Sequence, residues 1–168
     1  MNIIGLMACT KKGVIGLKGK IPWRYESEYE YFQNMTYNQI MIMGRESFDS
    51  MSGMNLLKHR MNIVFSRNKT LLYKHQDDNV KFVSSLEELY KLELDKNKKI
   101  YMIGGGELAG FFLRHNLINI FFLTYIHSEY KGDAYFPLSL IKNWYKKTII
   151  KNNNYTTMML KKPFSLSN

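Results

Sequence analysis

Short apolar runs alternate with polar, glycine-containing segments through the first 115 residues of the chain. The runs have the length of buried strands, and the amphipathic stretches between them have the length of helices. Such an alternation predicts a mostly parallel, twisted sheet with right-handed crossovers. The predicted strands are residues 2–9, 38–43, 61–65, 80–83, 99–103 and 118–130, and the predicted helices are about 25–35, 46–51, 85–95 and from the glycine run 104–106 to about 115.

The C-terminal segment has a different pattern. Two strand-like runs, 144–151 and 155–160, flank three consecutive asparagines at 152–154, which predicts an antiparallel hairpin. We therefore expect the α/β class. The fold would be a single domain over residues 1–168, with a central sheet of about eight strands, about four flanking helices and an antiparallel C-terminal hairpin.

One acidic residue interrupts an apolar helical face. Tyr25, Glu28, Tyr29, Phe32 and Met35 recur at the i, i+3, i+4, i+7, i+10 spacing of residues that share one buried side of a helix. Burial removes water from a carboxylate and raises its pKa. A Glu in this place either has a basic partner in the core or serves a ligand, and the helix alone leaves both interpretations open.

Two neighbouring features bear on that choice. A segment with glycines at 13, 16 and 19 and the pair Pro22-Trp23 precedes the helix, which favours a loop that could fold over the Glu28 face. Thr124 is a polar position inside the apolar run 121–126. A buried hydroxyl needs a partner, usually the backbone, but it could hold the Glu28 carboxylate if that strand passes beside the helix.

Three predicted strands end in groups suited to phosphate. Gly44-Arg45 and the run 104–106 each lead into a helix, whose N-terminal amides attract anions. Ser66-Arg67 adds a hydroxyl and a guanidinium. Since the carboxyl ends of parallel strands share one sheet edge, these groups predict a nucleotide with more than one phosphate site. The glycine run matches neither the usual dinucleotide fingerprint nor a P-loop.

Composition narrows the choice further. The chain has 168 residues, one cysteine, Cys9, and four histidines that are not spaced as helical metal ligands, so we expect no metal. The net charge of +10 is scattered along the chain, which favours attraction of small polyanions over a nucleic-acid surface. No segment is long enough to span a membrane. We expect a cytoplasmic monomer, because no spare amphipathic segment demands a partner.

Several ordered motifs together resemble the dihydrofolate reductase family along nearly the whole chain. They include Val14-Ile15-Gly16 with Pro22-Trp23, Glu28 followed by Phe32, and the three strand ends. Leu123-Thr124 and Gly132-Asp133-Ala134-Tyr135-Phe136-Pro137 complete the order.

The resemblance implies hydride transfer from the nicotinamide of NADPH to the pterin of dihydrofolate, which gives tetrahydrofolate. It implies catalytic roles for Glu28, as the acid that binds the pterin and assists protonation of N5, for Thr124, as the group that orients it, and for Trp23. Arg60 would clamp the substrate α-carboxylate. The implied substrate-binding residues are Leu6, Met7, Ala8, Glu28, Tyr29, Phe32, Met51, Leu57, Arg60, Ile103 and Thr124. The implied cofactor-binding residues are Ala8, Val14, Ile15, Gly16, Leu17, Lys18, Gly19, Lys20, Gly44, Arg45, Glu46, Ser47, Ser66, Arg67, Gly104, Gly105, Gly106, Glu107, Leu108 and Ala109.

The chain departs from the family pattern at a few positions. Ala109 stands where the family usually has an aromatic hydroxyl near the nicotinamide, Gly19 where Asn is common, and Ala134 where Thr is common. These changes motivate an alternative, a homologue that binds pterin and NADPH with weakened or lost catalysis. A pyrimidine reductase of riboflavin synthesis would share the cofactor scaffold, but it would lack the acid at position 28. Nucleic-acid binding through the basic surface is a third, weaker possibility.

Overall fold

The computed structural model describes residues 1–51, 57–68, 70 and 78–163. Ten strands and four α-helices are named here in chain order. The strands are β1 Ile3–Thr10, β2 Val14–Gly16, β3 Ile40–Gly44, β4 Met61–Phe65, β5 Val80–Val83, β6 Ile100–Gly104, β7 Ile118–Ile126, β8 Ala134–Tyr135, β9 Tyr145–Lys151 and β10 Tyr155–Lys161. The helices are α1 Glu26–Thr36, α2 Arg45–Met51, α3 Leu86–Lys91 and α4 Gly106–Arg114, and a 3-10 helix covers Leu138–Ile141.

Eight strands form one sheet in the order β5-β4-β3-β6-β1-β7-β10-β9. The six strands from β5 to β7 run parallel, and β10 and β9 are antiparallel. The structure thus confirms the predicted α/β fold with an antiparallel C-terminal hairpin. Ile40 to Met43 of β3 are at most 1% exposed, which explains their continuous apolar run, because a central parallel strand is covered on both faces.

The sheet separates two apolar layers. Along β1 the side chains alternate, so that Leu6 packs on the α1 face while Ile3, Met7 and Cys9 pack on the opposite face with α4. Gly5 leaves room on that opposite face for Phe121, since a Cβ atom at position 5 would lie 2.2 Å from the ring. The Phe121 ring in turn packs edge-on against Phe136, with 5.2 Å between the centroids.

The helix that carries Glu28 does not bury the predicted face in full. Tyr29 is 38% exposed, whereas Thr36 is fully buried. Tyr31, Phe32 and Met35 pack against the core beneath the helix. The buried side of α1 therefore runs through Phe32, Met35 and Thr36 and leaves Tyr29 outside it.

Other differences from the sequence prediction concern element ends. The start of α3 is confirmed, since the Ser85 hydroxyl accepts a hydrogen bond from the Glu88 amide at 3.2 Å, but the helix stops at Lys91, not near residue 95. The strand β7 ends at Ile126, before residue 130. The short sheet formed by β2 and β8 was not predicted. Among the described helices, none has the length and apolar character needed to cross a membrane.

Candidate active site

The three phosphate-suited strand ends meet at one edge of the sheet. They follow β4, β3 and β6, which are adjacent and parallel. An added Cβ atom at Gly44 would lie 3.7 Å from the amide nitrogen of Gly105, so the ends of β3 and β6 are in van der Waals reach. The structure therefore brings together the glycines, Ser66 and the two arginines that the sequence placed far apart along the chain.

Packing within the protein requires glycine at two positions of the run 104–106. Gly104 has a φ of +118°, and a Cβ atom there would lie 2.9 Å from Cε of Met7. At Gly106 a Cβ atom would lie 2.0 Å from the carbonyl oxygen of Tyr135, so a side chain at position 106 would displace β8. Gly105 is the N-cap of α4, whose free amides begin at this edge.

Both arginines at this edge are accessible, and three carboxylates accompany them. Arg67 is exposed and forms no ion pair within the described parts of the chain. Nε of Arg45 lies 3.1 Å from Oδ2 of Asp49, one turn along α2. Glu46 and Glu107 are exposed in the first turns of α2 and α4. The groups at this edge that can attract an anion are the two arginines and the amides at the helix starts.

The glycine-spaced segment before α1 is anchored at its base and open at its tip. Lys18 donates its amide to Oδ2 of Asp133 at 3.0 Å, and the amide of Asp133 donates to the Gly16 carbonyl at 3.0 Å. Leu17 and Lys20 close a tight turn whose residues are all exposed. The sequence indicated a loop here but gave Asp133 no role, and only its place in the 132–137 motif could have signalled one.

Glu28 sits half-buried in the first turn of α1. Burial raises the pKa of its carboxyl group to about 7, and the nearby indole of Trp23 offsets part of that rise. No Lys or Arg forms an ion pair with Glu28 in the part of the chain that the structure describes. The sequence left open whether a basic residue in the core neutralises Glu28. The described residues include no such ion pair.

Trp23 presents a second unusual polar group beside Glu28. The residue is 7% exposed and packs against Tyr130, with 5.8 Å between the ring centroids. Its Nε1 is buried and completes no hydrogen bond with the described residues, although it lies near enough to Glu28 to lower the pKa of that group. A buried donor without an acceptor costs about 1–3 kcal/mol, so an acceptor from a ligand would be favoured there.

Thr124 lies on the α1 face of β7, but its hydroxyl does not reach Glu28. It lies 2.8 Å from the hydroxyl of Thr157, directly opposite on β10. Both residues are buried, at 2% and 0% exposure. The direct contact expected between Thr124 and Glu28 is thus absent from the described hydrogen bonds. The sequence did not identify Thr157 as the partner of Thr124, because only the pairing of β7 with β10 brings the two residues together.

α1 is nevertheless fixed above this pair. The hydroxyl of Tyr155 donates to Oγ of Ser27 at 2.9 Å, which ties the start of β10 to the turn that carries Glu28. Ala8 pairs with Thr124 on the other side, so Ala8, Thr124 and Thr157 form one row across the sheet on the face that α1 covers. The three small side chains thus lie on the same face of the sheet as the helix that carries Glu28.

Most of the predicted pocket residues lie together. Leu6 and Ile103 belong to the buried cluster on the α1 face, and Phe32, Met51 and Leu57 pack against it. Met7 is an exception, because strand alternation places its side chain in the core on the opposite face. Its side chain therefore does not share the face of Leu6 and Ile103, and the assignment of Met7 to substrate binding stays a prediction. Tyr29 stands at the exposed rim.

Arg60 is held at the far end of α1. Its Nε donates to Oγ1 of Thr36 and one terminal nitrogen donates to the carbonyl of Gln33, both at 3.0 Å. The residue is only 6% exposed, and its guanidinium lies 5.8 Å from the Tyr37 ring centre. Burial lowers its pKa from the ordinary value, but these acceptors keep the group fixed in one orientation.

Two predicted cofactor residues prove to be core residues. Ala109 is fully buried in the layer between α4 and the sheet, and Val14 is 4% exposed. Leu108 and Ile15 pack against the same layer. The Ala109 methyl group is therefore covered by the core, and its assignment to cofactor binding stays a prediction.

Fold and site together are those of an α/β enzyme, with a desolvated acid on α1 and three phosphate-suited strand ends at one sheet edge. A family model described as dihydrofolate reductase matches residues 2–162. The chain belongs to the dihydrofolate reductase family.

Individual relatives agree with this assignment. The chain is 32% identical over 135 residues to a dihydrofolate reductase of Lactococcus lactis subsp. lactis (strain IL1403), covering 80% of this chain and 77% of the relative. It is 34% identical over 170 residues to a dihydrofolate reductase of Buchnera aphidicola subsp. Baizongia pistaciae (strain Bp), covering 96% and 98%. A dihydrofolate reductase of Staphylococcus haemolyticus is 30% identical over 151 residues, covering 90% and 86%.

Proposed function

We propose that this chain reduces 7,8-dihydrofolate to 5,6,7,8-tetrahydrofolate by hydride transfer from NADPH to the pterin ring, and so supports one-carbon and thymidylate metabolism. The observation that carries the proposal is the desolvated carboxyl group of Glu28, which has no basic partner among the described residues, in a fold whose sheet edge gathers three phosphate-suited strand ends. A group of this kind is suited to hold a proton near neutral pH for a ligand.

The sheet edge fits a dinucleotide phosphate. The amides at the starts of α2 and α4, with the Ser66 hydroxyl, would hold the phosphates, and the glycines let those groups approach the backbone. Arg45 and Arg67 supply two guanidinium groups suited to a 2′-phosphate, which favours NADPH over NADH. When bound, NADPH supplies the hydride. The segment from Gly16 to Lys20 would cover the cleft and exclude water.

Glu28 is assigned the proton chemistry of the reaction. With a pKa of about 7 both of its forms are populated at neutral pH. The ionised carboxylate would accept hydrogen bonds from the pterin amino group and ring nitrogen, and the protonated form would assist protonation of N5. The orphaned Nε1 of Trp23 would donate to a ligand oxygen or a bridging water, which satisfies it and fixes the pterin beside Glu28.

The remaining roles are positional. Leu6, Phe32, Met51, Leu57 and Ile103 would enclose the apolar part of the substrate, with Tyr29 at the rim. Arg60 would form a bidentate pair with the substrate α-carboxylate, since Thr36 and Gln33 already fix its guanidinium. Thr124 would support the orientation of Glu28 from the row beneath it. We further propose that the enzyme is a cytoplasmic monomer over a single domain of residues 1–168, with no nucleic-acid partner.

The direct test follows the loss of NADPH absorbance after dihydrofolate is added to the purified protein. We expect turnover that depends on both compounds and that falls sharply in Glu28→Gln, while NADPH affinity stays within about twofold. A protein that binds both compounds without turnover would overturn the proposal in favour of the non-catalytic homologue.

A further inference from the structure

A second cavity lies on the face of the sheet opposite Glu28. It occupies about 490 Å³ between the segment Leu138–Lys142 and the strands β7, β9 and β10. Thr124 and Thr157 point to the α1 face, so their neighbours Tyr125 and Met158 point to this one. None of the residues proposed to bind substrate or cofactor lines this cavity.

The floor of the cavity is apolar. Tyr125, Leu138, Ile141 and Met158 form it, and all four pack against the core layer that includes Phe121. Burial is the main cause that raises the pKa of Tyr125 to about 12, so its ring stays uncharged. A volume of this size, with such a floor, is in the range that takes a small organic molecule.

The rim of the cavity is basic. Lys11 follows β1, Lys142 follows the 3-10 helix and Lys146 lies on β9, so three separate elements each contribute an ammonium group. No acidic side chain lines the cavity, and none of the three lysines forms an ion pair within the described residues. The adjacent Lys12, by contrast, pairs with Glu129 at 3.3 Å.

His127 completes the wall but is not free to turn. Its Nδ1 lies 3.0 Å from the carbonyl of Asn153 and its Nε2 lies 2.9 Å from the hydroxyl of Thr156. The ring is therefore a rigid side of the cavity, and the lysines are the groups that can adjust to a ligand.

Protection of a sheet edge explains only part of this charge. Lysines on an exposed edge strand discourage pairing with another chain. The edge strand β9 carries three of them, Lys146, Lys147 and Lys151, which fits that role. That explanation does not cover Lys11 or Lys142, which belong to other elements and converge on the same hollow. Like charges gathered around an apolar floor repel one another, and an anion placed between them relieves that repulsion.

We propose that this cavity binds a small amphipathic anion: an aromatic or aliphatic carboxylate, sulfonate or phosphate ester whose apolar part lies on Tyr125, Ile141 and Met158 and whose charged group is held by Lys11, Lys142 and Lys146. This site is independent of the dihydrofolate cleft on the other face, and its test does not require activity.

The probe for the test is 8-anilinonaphthalene-1-sulfonate, a fluorescent aromatic sulfonate, titrated into the full chain with NADP⁺ and folate present to fill the cleft. We expect saturable binding that Lys146→Glu and Lys142→Glu each weaken by roughly tenfold or more. The matched control is Lys147→Glu, which makes the same charge change on β9 but pairs with Met159 on the opposite face. It should change the dissociation constant by less than about twofold.

Further arms separate a specific site from general attraction. The uncharged parent compound, N-phenyl-1-naphthylamine, should bind at least about tenfold more weakly, and phenyl phosphate and benzoate should both displace the sulfonate. Circular dichroism and the urea midpoint identify any variant that fails to fold. Equal loss in Lys146→Glu and Lys147→Glu would overturn the proposal, as would equal binding of the uncharged compound or the absence of saturable probe binding while NADP⁺ and folate fill the cleft.

Discussion

The hydroxyl groups of Thr124 and Thr157 lie 2.8 Å apart and join β7 to β10 on the sheet face that α1 covers. Each is the other's hydrogen-bond partner in surroundings that exclude water, since the residues are 2% and 0% exposed. The Thr124 hydroxyl therefore has a partner on β10, and its orienting role toward Glu28, which the family resemblance implied, stays a prediction.

Replacing both members of this pair should destabilise the protein by less than the sum of the two single replacements. Thr157→Val leaves the Thr124 hydroxyl buried without a partner, which should lower the free energy of unfolding by about 1–2 kcal/mol. The double variant Thr124→Val/Thr157→Val removes both hydroxyls at nearly constant volume and should cost less than the two single changes together. Urea denaturation of all four proteins gives the coupling energy.

The matched control for this cycle is Thr148→Val, the same substitution at an exposed position of β9. It should change the free energy of unfolding by less than about 0.5 kcal/mol. Strict additivity of the two buried changes would mean that the hydrogen bond contributes nothing to stability.

Arg60→Lys should raise the KM for dihydrofolate by roughly tenfold to a hundredfold and leave kcat within about twofold. A lysine ammonium cannot contact Thr36, Gln33 and both oxygens of a carboxylate at once, as the planar guanidinium can. Steady-state kinetics with a reduced pterin that lacks the glutamate provides the control, because its KM should be the same for both proteins. A rise in KM for that truncated compound as well would assign Arg60 to the structure of α1 alone.

Arg67→Ala should weaken NADPH binding by roughly tenfold and leave NADH binding nearly unchanged. Arg67 is exposed at the end of β4, where a 2′-phosphate is the only charged group that distinguishes the two cofactors. Fluorescence titration measures both affinities, with Arg114→Ala at the opposite end of α4 as the charge-matched control. Equal loss for NADPH and NADH would remove Arg67 from the discrimination.

Glu28 should also make stability depend on pH in a defined direction. Because the pKa is raised in the folded state, from 4.5 to about 7, its contribution is complete below pH 4.5 and is lost as the pH rises to about 7. The difference in unfolding free energy between the native chain and Glu28→Gln should therefore fall by about 2–3 kcal/mol across this interval. Glu26→Gln, in the same first turn but exposed, controls for loss of a negative charge near the helix start.

Urea denaturation at several pH values between 4 and about 8 supplies the comparison. If the difference in unfolding free energy between the native chain and Glu28→Gln stays constant, or grows as the pH rises, burial does not destabilise the ionised carboxylate.

The parts of this fold that follow from local pattern could be predicted from the sequence. Ile40 to Met43 are apolar without alternation because both faces of β3 are covered, so the strand is visible as a run. Glu28 could be recognised because it breaks a pattern: a carboxyl group on an otherwise apolar helix face is unusual. The strand-end motifs at Gly44 and Ser66 converge because parallel strands share an edge, and that convergence required only the predicted sheet.

Features that depend on distant pairing could not be predicted. Thr157 meets Thr124 only through the register of β10 against β7, and nothing near either residue indicates it. The β2–β8 sheet has strands of three and two residues, too short for a pattern. Met7 differs from these cases, because simple alternation with Leu6 and Ala8 already places it on the opposite face.

The most direct test of the role of Glu28 is the rate of hydride transfer in a single turnover, measured as a function of pH for the native chain and Glu28→Gln. The native rate should be highest below about pH 7 and fall roughly tenfold per pH unit above it, because the protonated carboxyl group is lost. Glu28→Gln should be slower by about 10²–10⁴ at neutral pH and nearly independent of pH, with NADPH affinity within about twofold. A Glu28→Gln protein that keeps the native rate, or that keeps the same decline above pH 7, would contradict the assignment of the proton to Glu28.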